Sequence, residues 1–166
     1  ATARLSWTGQ RGLGLRLLAL HHHLALTEDL ESPEEYRTGF GIAIDAPRVQ
    51  RLAALDGVHL AVHGHKHRAF VWRTGAYHLP EYSHERWSLG SFNIVGGGSC
   101  GSTSTDGHRN FYNLIRVVGS TVELEMYRSQ PQGSFERFMT WRAPLVTTPA
   151  EQRLEIEPWQ RVMHDD

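Results

Sequence analysis

Two short apolar runs that each end on histidine constrain this chain more than any other feature. The first, GLRLLAL at 14–20, reads as a buried strand and stops on His21, His22 and His23. The second, VHLAV at 58–62, stops on His63 and continues into GHKH. The first run is followed by a polar, breaker-rich stretch, TEDLESPEEYRTGFG, with a helical turn expected after Ser32-Pro33. Next comes APRVQRLAAL, at 46–55, which reads as a helix. Asp45 stands where an N-cap belongs and Gly57 where a left-handed C′ residue ends the helix. Val49, Leu52, Ala53 and Leu55 form its expected buried stripe. Strand, loop, helix, strand is the pattern of a parallel pair joined by a crossover. Parallel strands finish at the same edge. Both histidine clusters are therefore expected at the C-terminal edge of one sheet, where open α/β sheets place their sites.

After His67 the pattern changes. AFVWRT, SFNIVGGG, FYNLIRVVG and TVELEMYRS are short, β-rich and separated by Gly, Ser or Asp. NLIRVVGSTVELEMY reads as a hairpin turning at Gly119-Ser120. FERFMTWRAPL adds an edge strand or a closing segment. The 166 residues hold one domain or a piece of a larger one, expected over 1–145. From 146 to 166 a polar C-terminal tail with a helix is expected. Trp72, Trp87 and Trp141 are read as packing residues.

Composition removes several function classes. A formal net charge of −1 gives no field for nucleic acid or an anionic membrane. No apolar run approaches the roughly 18 residues of a membrane span, and the start, ATARLSWTGQ, lacks the basic-then-apolar order of a signal peptide. The single cysteine, Cys100, forms no internal disulfide, which fits a reducing, cytoplasmic setting.

Histidine is the commonest metal ligand and the usual acid–base group near neutral pH. In HGHKH, His65 and His67 are two apart, so an extended backbone sends both imidazoles to one side. They can face one site, or one each of two adjacent metals. Gly64 lets the backbone turn closely just before them. His63 reads as a packed strand-end residue.

VHLAVHGHKHRAF resembles the last signature of the calcineurin-like metallophosphoesterases, Gly-His-x-His at the end of a strand. LRLLALHHHLAL resembles the segment before it, an apolar strand ending on a ligand histidine, and FYNLIRVVGSTVELEMYRS resembles the closing strands. The cyclic-nucleotide phosphodiesterase branch is nearest, and the resemblance covers residues 14–144. It implies an α/β fold, a two-layer β-sandwich flanked by helices. It implies two divalent metal ions, Mn, Fe or Zn. His21 would bind one of them, together with His65, and His67 the other. If the register is shifted by one, His22 replaces His21. His22 and His23 otherwise line the site or support it from behind, and Arg68 is placed to meet a phosphate. The implied activity is hydrolysis of a phosphodiester, such as a cyclic nucleotide.

The family pattern also begins with Asp-x-His, Gly-Asp-x-x-Asp and Gly-Asn-His, and none of these precedes His21. Asp106-Gly107-His108 matches Asp-x-His as text but comes after the other signature, in a Gly/Ser/Thr-rich stretch. Three histidines without a bridging carboxylate hold at most one metal with open positions. The expected chain is thus the C-terminal half of a phosphoesterase domain. Its partners are a phosphoester substrate and an N-terminal half or complementary chain, and exposed sheet edges make an oligomer a further expectation. The alternatives are a non-catalytic binding or regulatory half-domain and a single structural metal on His21, His65 and His67. IVGGGSCGS lacks the Lys-Ser/Thr of a phosphate-binding loop and reads as a tight loop near the site, with Cys100 a small packed thiol.

Overall fold

The structure, a computed structural model, describes residues 14–24, 42–64, 69–77, 88–98, 109–148 and 153–163. Strand β1 (Leu17–Leu20) is followed by helix α1 (Ala46–Leu55) and strand β2 (Leu60–His63). The helix occupies the ten expected residues, with Pro47 in its first turn and Asp45 at the N-cap position. Asp45 caps through its backbone, its carbonyl accepting the Val49 N–H at 3.0 Å, and not through its side chain. At the other end Gly57 has φ 67. Gly57 N–H donates to the Ala54 carbonyl and Val58 N–H to that of Ala53, the paired bonds that close a helix through a left-handed glycine.

The apolar stripe is rotated from the expected one. Ala46, Ala53 and Ala54 are buried and Val49 packs beside them, whereas Leu55 is 52% exposed. At about 100° per residue, Leu55 lies about 200° round the axis from Ala53, so burying Ala53 turns Leu55 to solvent.

Strands β3 (Phe70–Tyr77) and β4 (Ser88–Gly96) complete the first sheet, in the order β1-β2-β4-β3. β1, β2 and β4 run parallel and β3 is antiparallel to β4. The two faces of this sheet divide its side chains. Ala61, Phe92 and Ile94 join Leu24, Ala46, Ala53 and Val58 in a core under α1. Leu60, Val62 and Val95 face the other way. Trp72, expected as a packing residue, is 51% exposed on the outer strand, while Trp141 packs in the core and Trp87 lies outside the described residues.

The second sheet is built from β5 (Phe111–Val118), β6 (Thr121–Ser129), β7 (Phe135–Thr148) and β8 (Arg153–Ile156), with β9 (Gln160–Val162) also on β7. β5 and β6 form the expected hairpin, closing at Val118 and Thr121 with Gly119 at φ 59. Val122, Leu124, Met126, Ala143 and Ile156 meet Leu60 and Val95 in a single core between the sheets. The described chain is therefore α/β and mostly strand, a helix on one sheet and that sheet on another.

The stretch expected as a polar tail with a helix carries β8 and β9 instead. Both pair antiparallel with β7, and the register moves by one residue across 157–159, where Pro158 interrupts the ladder. Ile156 is buried and Trp159 packs against the inter-sheet core. Polar neighbours hide this in the sequence, because only one face of the strand needs to be apolar.

The outer face of the second sheet is polar and paired. Glu125, 7% exposed, accepts from Arg116 at 2.7 Å, from Arg137 at 3.1 Å and from the Tyr127 hydroxyl at 3.1 Å. Tyr127 stacks on Tyr112 with ring centroids 4.7 Å apart.

Candidate metal centre

Three parallel strands end level with one another. Leu20 stands opposite His63 in the β1–β2 ladder, and His63 stands opposite Gly96 in the β2–β4 ladder. The residues that follow, His21, Gly64 and Gly97, thus leave one sheet edge side by side. The expected meeting of residues from either side of α1 rests on this parallel register.

Local contacts fix the histidine segment after β1. His23 forms a parallel bridge with Ile42, and its carbonyl accepts the Ala43 N–H at 3.0 Å. Leu24 is fully buried, and its carbonyl accepts from the Gln50 side chain of α1. At the opposite end of β1, Arg16 N–H donates to His59 Nδ1 at 2.8 Å while His59 N–H donates to the Arg16 carbonyl at 3.0 Å. His59 therefore carries its proton on Nε2 and acts as a neutral acceptor.

The three consecutive histidines have different surroundings. His21 and His22 are exposed, with ring centroids 4.8 Å apart and the planes at 89°. His23 is buried, its ring 5.1 Å from that of His63 in an edge-to-face arrangement. His63 is buried as well, with Phe70 at 5.1 Å on another side. His63 is thus a packed strand-end residue, as expected. His65, His67 and Arg68 lie outside the described residues, as do Cys100 and residues 106–108. Sequence reasoning gave the buried partner of His63 no special place among the three.

Glycines shape the rest of the edge. Gly96 ends β4, and the next N–H, of Gly97, donates to the His63 carbonyl at 2.6 Å. Gly98 then passes against the backbone of Phe111 at the start of β5. The Asn113 side chain donates from Nδ2 to the Gly96 carbonyl at 2.9 Å. Asn113 was missed in the sequence. The available signal was its position, at the same strand parity as Phe111 and Ile115.

Neutral imidazole suits Zn, Mn or Fe. The described residues by themselves do not complete a metal site: no group of three or more His, Cys, Asp or Glu among them could hold an ion. Two exposed imidazoles stand at the end of β1, and the expected donors that would join them follow Gly64, outside the described residues. Among the described residues no helix is long and apolar enough to cross a membrane.

Compared with protein-family models, with curated proteins and with solved structures, the chain matches none of them.

Proposed function

We propose that the histidine edge is part of a metal-dependent phosphodiesterase site of the calcineurin-like kind, in which this chain supplies the imidazoles and a complementary segment or partner chain supplies the carboxylates. One observation carries the reading. Leu20 and His63 pair in parallel, so the segment beginning at His21 and the Gly64–His65–Lys66–His67 segment start from the same edge. The fold reading that goes with it is a β-sandwich flanked by helices, supported by the shared core of the two sheets and by α1 on the first.

The division of labour follows from the chemistry of each position. His21, or His22 in its place, is a neutral nitrogen donor at the end of β1, and His65 and His67 are donors after the turn at Gly64. His23 and His63, buried against each other, hold the two strand ends at fixed separation. Arg68 meets a phosphate oxygen. Bound divalent ions, Mn, Fe or Zn, would supply Lewis acidity to the phosphoryl oxygens and make water a better nucleophile near neutral pH. The group that protonates the leaving alkoxide comes from the complementary segment. A phosphodiester such as a cyclic nucleotide is the substrate class.

The deciding experiment is metal content per chain by elemental mass spectrometry, with His21→Ala, His65→Ala and His67→Ala beside the wild type. With the complementary segment or partner chain that supplies the carboxylates present, close to two ions per chain, lost in the variants and accompanied by hydrolysis of a chromogenic phosphodiester, is the expected result. One ion that depends on the same residues, without hydrolysis, would make this a structural or regulatory module. No bound metal with the complement present would end the reading.

A further inference from the structure

We infer that β5 is a dimer edge: two copies of this chain pair their β5 strands antiparallel about a two-fold axis at Ile115, so that the two second sheets join into one. The dimer goes beyond the metal-site reading above and does not depend on it.

β5 ends its sheet, in the order β5-β6-β7-β8, and among the described residues it pairs with β6 alone. The hairpin fixes which backbone groups that pairing uses. Val118 and Thr121 flank a two-residue turn, so they form a hydrogen-bonded pair. Every second residue back along β5 repeats the pattern. The Ser129 N–H, donating to the Asn110 carbonyl at 2.8 Å, has the same parity. Tyr112, Leu114, Arg116 and Val118 therefore bond inward to β6. Asn113, Ile115 and Val117 turn their N–H and C=O groups to the open edge, where no other described strand meets them.

An open edge is a template for another strand, and natural proteins usually blunt it with charge, proline or a bulge. The stretch YNLIRVV at 112–118 has no proline, and its ladder with β6 runs without a register shift. Its one charge, Arg116, is held by Glu125 at 2.7 Å. Leu114, Val117 and Val118 instead present apolar side chains to solvent along this edge.

A second copy fits because the strand is complementary to itself. With Ile115 opposite its own copy, Asn113 stands opposite Val117, and each open N–H and C=O of the three residues finds a partner. On the outer face the aliphatic stem of Arg116 lies beside Leu114, and Tyr112 stands opposite Val118. No like charges meet. Moving the axis to Arg116 would set two guanidinium groups opposite each other. Moving it to Leu114 would pair Val117 with Phe111, at the end of β5 that lies against Gly98. A two-fold contact of this kind uses the same patch on both copies and closes at two.

Sedimentation velocity on the full chain over a concentration series tests the dimer, with Leu114→Lys and Val117→Pro beside the wild type. Leu114 is exposed and stands opposite Glu125 in the β5–β6 ladder, so a lysine there suits the monomer. In the dimer that lysine faces Arg116 of the other copy, and the clash occurs twice. Proline at 117 deletes an N–H that points to the edge and none that bonds β6, a place where edge strands tolerate it. Expected are a wild-type dimer and a dissociation constant raised about tenfold or more in each variant. At concentrations where the chain is monomeric, both variants should melt close to the wild type. Exchange of the Ile115 and Val117 amides should slow as the wild-type concentration rises. A monomer at every concentration would overturn the inference and leave the edge to a strand of another protein. A dimer that both variants leave unchanged would overturn it too, placing the contact on a different face. So would growth beyond two copies, because a closed two-fold pair leaves no β5 edge for a third.

Discussion

The backbone of Gly98 lies directly on Phe111: a Cβ at Gly98 would fall 2.2 Å from the Phe111 Cβ and 2.9 Å from its Cα. The contact joins the end of β4, beside the histidines, to the first residue of β5 in the other sheet. It leaves no room for any side chain at 98, although the position needs no unusual backbone angle.

Gly98→Ala should therefore destabilise the protein, because backbone has to yield in place of a flexible side-chain end. The expected cost is about 1–3 kcal/mol, the usual range for overpacking. Gly97→Ala is the control, since among the described residues a Cβ there meets only the His63 carbonyl oxygen, at 3.4 Å. Thermal melts should show a clear drop for Gly98→Ala and near wild-type behaviour for Gly97→Ala. Equal effects would mean that the contact is not as tight as described.

The edge-to-face pair of His23 and His63 should be measurable as a coupling. Their rings are 5.1 Å apart at 85°, and both are buried. A double-mutant cycle of His23→Ala and His63→Ala in urea should give an interaction of about 0.5–1.5 kcal/mol, as for aromatic pairs of this geometry. Additive losses would show that the two residues pack independently.

On the second sheet, Glu125→Gln should cost more than Glu123→Gln. Glu125 is buried under three donors, though Arg116 and Arg137 are each about half exposed, which weakens the pairing by solvent screening. A loss of about 1–2 kcal/mol is expected. Among the described residues Glu123 pairs with Arg142 alone, which is exposed, and its loss should be nearer zero. Equal urea midpoints for the two variants would refute the ranking.

Acid should weaken the same sheet. Burial pushes the Glu125 carboxyl up, but hydrogen bonds from Arg137 and Tyr127 and the charge of Arg116 outweigh it and hold the group below its ordinary value of 4.5. The Arg128 hydrogen bond does the same for Glu136, against a smaller effect of burial. A carboxyl lowered in the folded state contributes stability that is present above its unfolded value and lost as pH falls through the folded one. Melting temperature should thus be flat near neutrality and fall below about pH 4.5, with a shallower fall in a Glu125→Gln, Glu136→Gln double variant. Tyr127 works at the other end: burial and the Glu125 carboxylate raise its pKa, so its contribution is lost only as pH rises above the ordinary value of 10.0.

The rotated stripe of α1 makes a paired prediction. Phe92→Ala empties a fully buried site beneath the helix and should cost about 3–5 kcal/mol. Leu55→Ala, on the exposed side, should stay within about 0.5 kcal/mol of the wild type. A large loss from Leu55→Ala in chemical denaturation would restore the stripe that spacing alone suggested.

The residues by themselves determined what short-range chemistry controls. The ten-residue helix follows from its period and from Gly57, whose left-handed φ only glycine adopts freely. The β5–β6 hairpin follows from alternation around Gly119-Ser120, and the parallel ends of β1 and β2 from the crossover between them. Tertiary structure decided what depends on contacts between distant segments. Which of three identical histidines is buried depends on the bridge from His23 to Ile42 and on the ring of His63. Whether residues 153–162 form strand depends on an edge offered by β7. The Asn113 hydrogen bond to the Gly96 carbonyl depends on where a second sheet lays β5 across the end of β4. A side chain's propensity travels with it along the chain, whereas burial and hydrogen-bond partners exist only once the sheets have met.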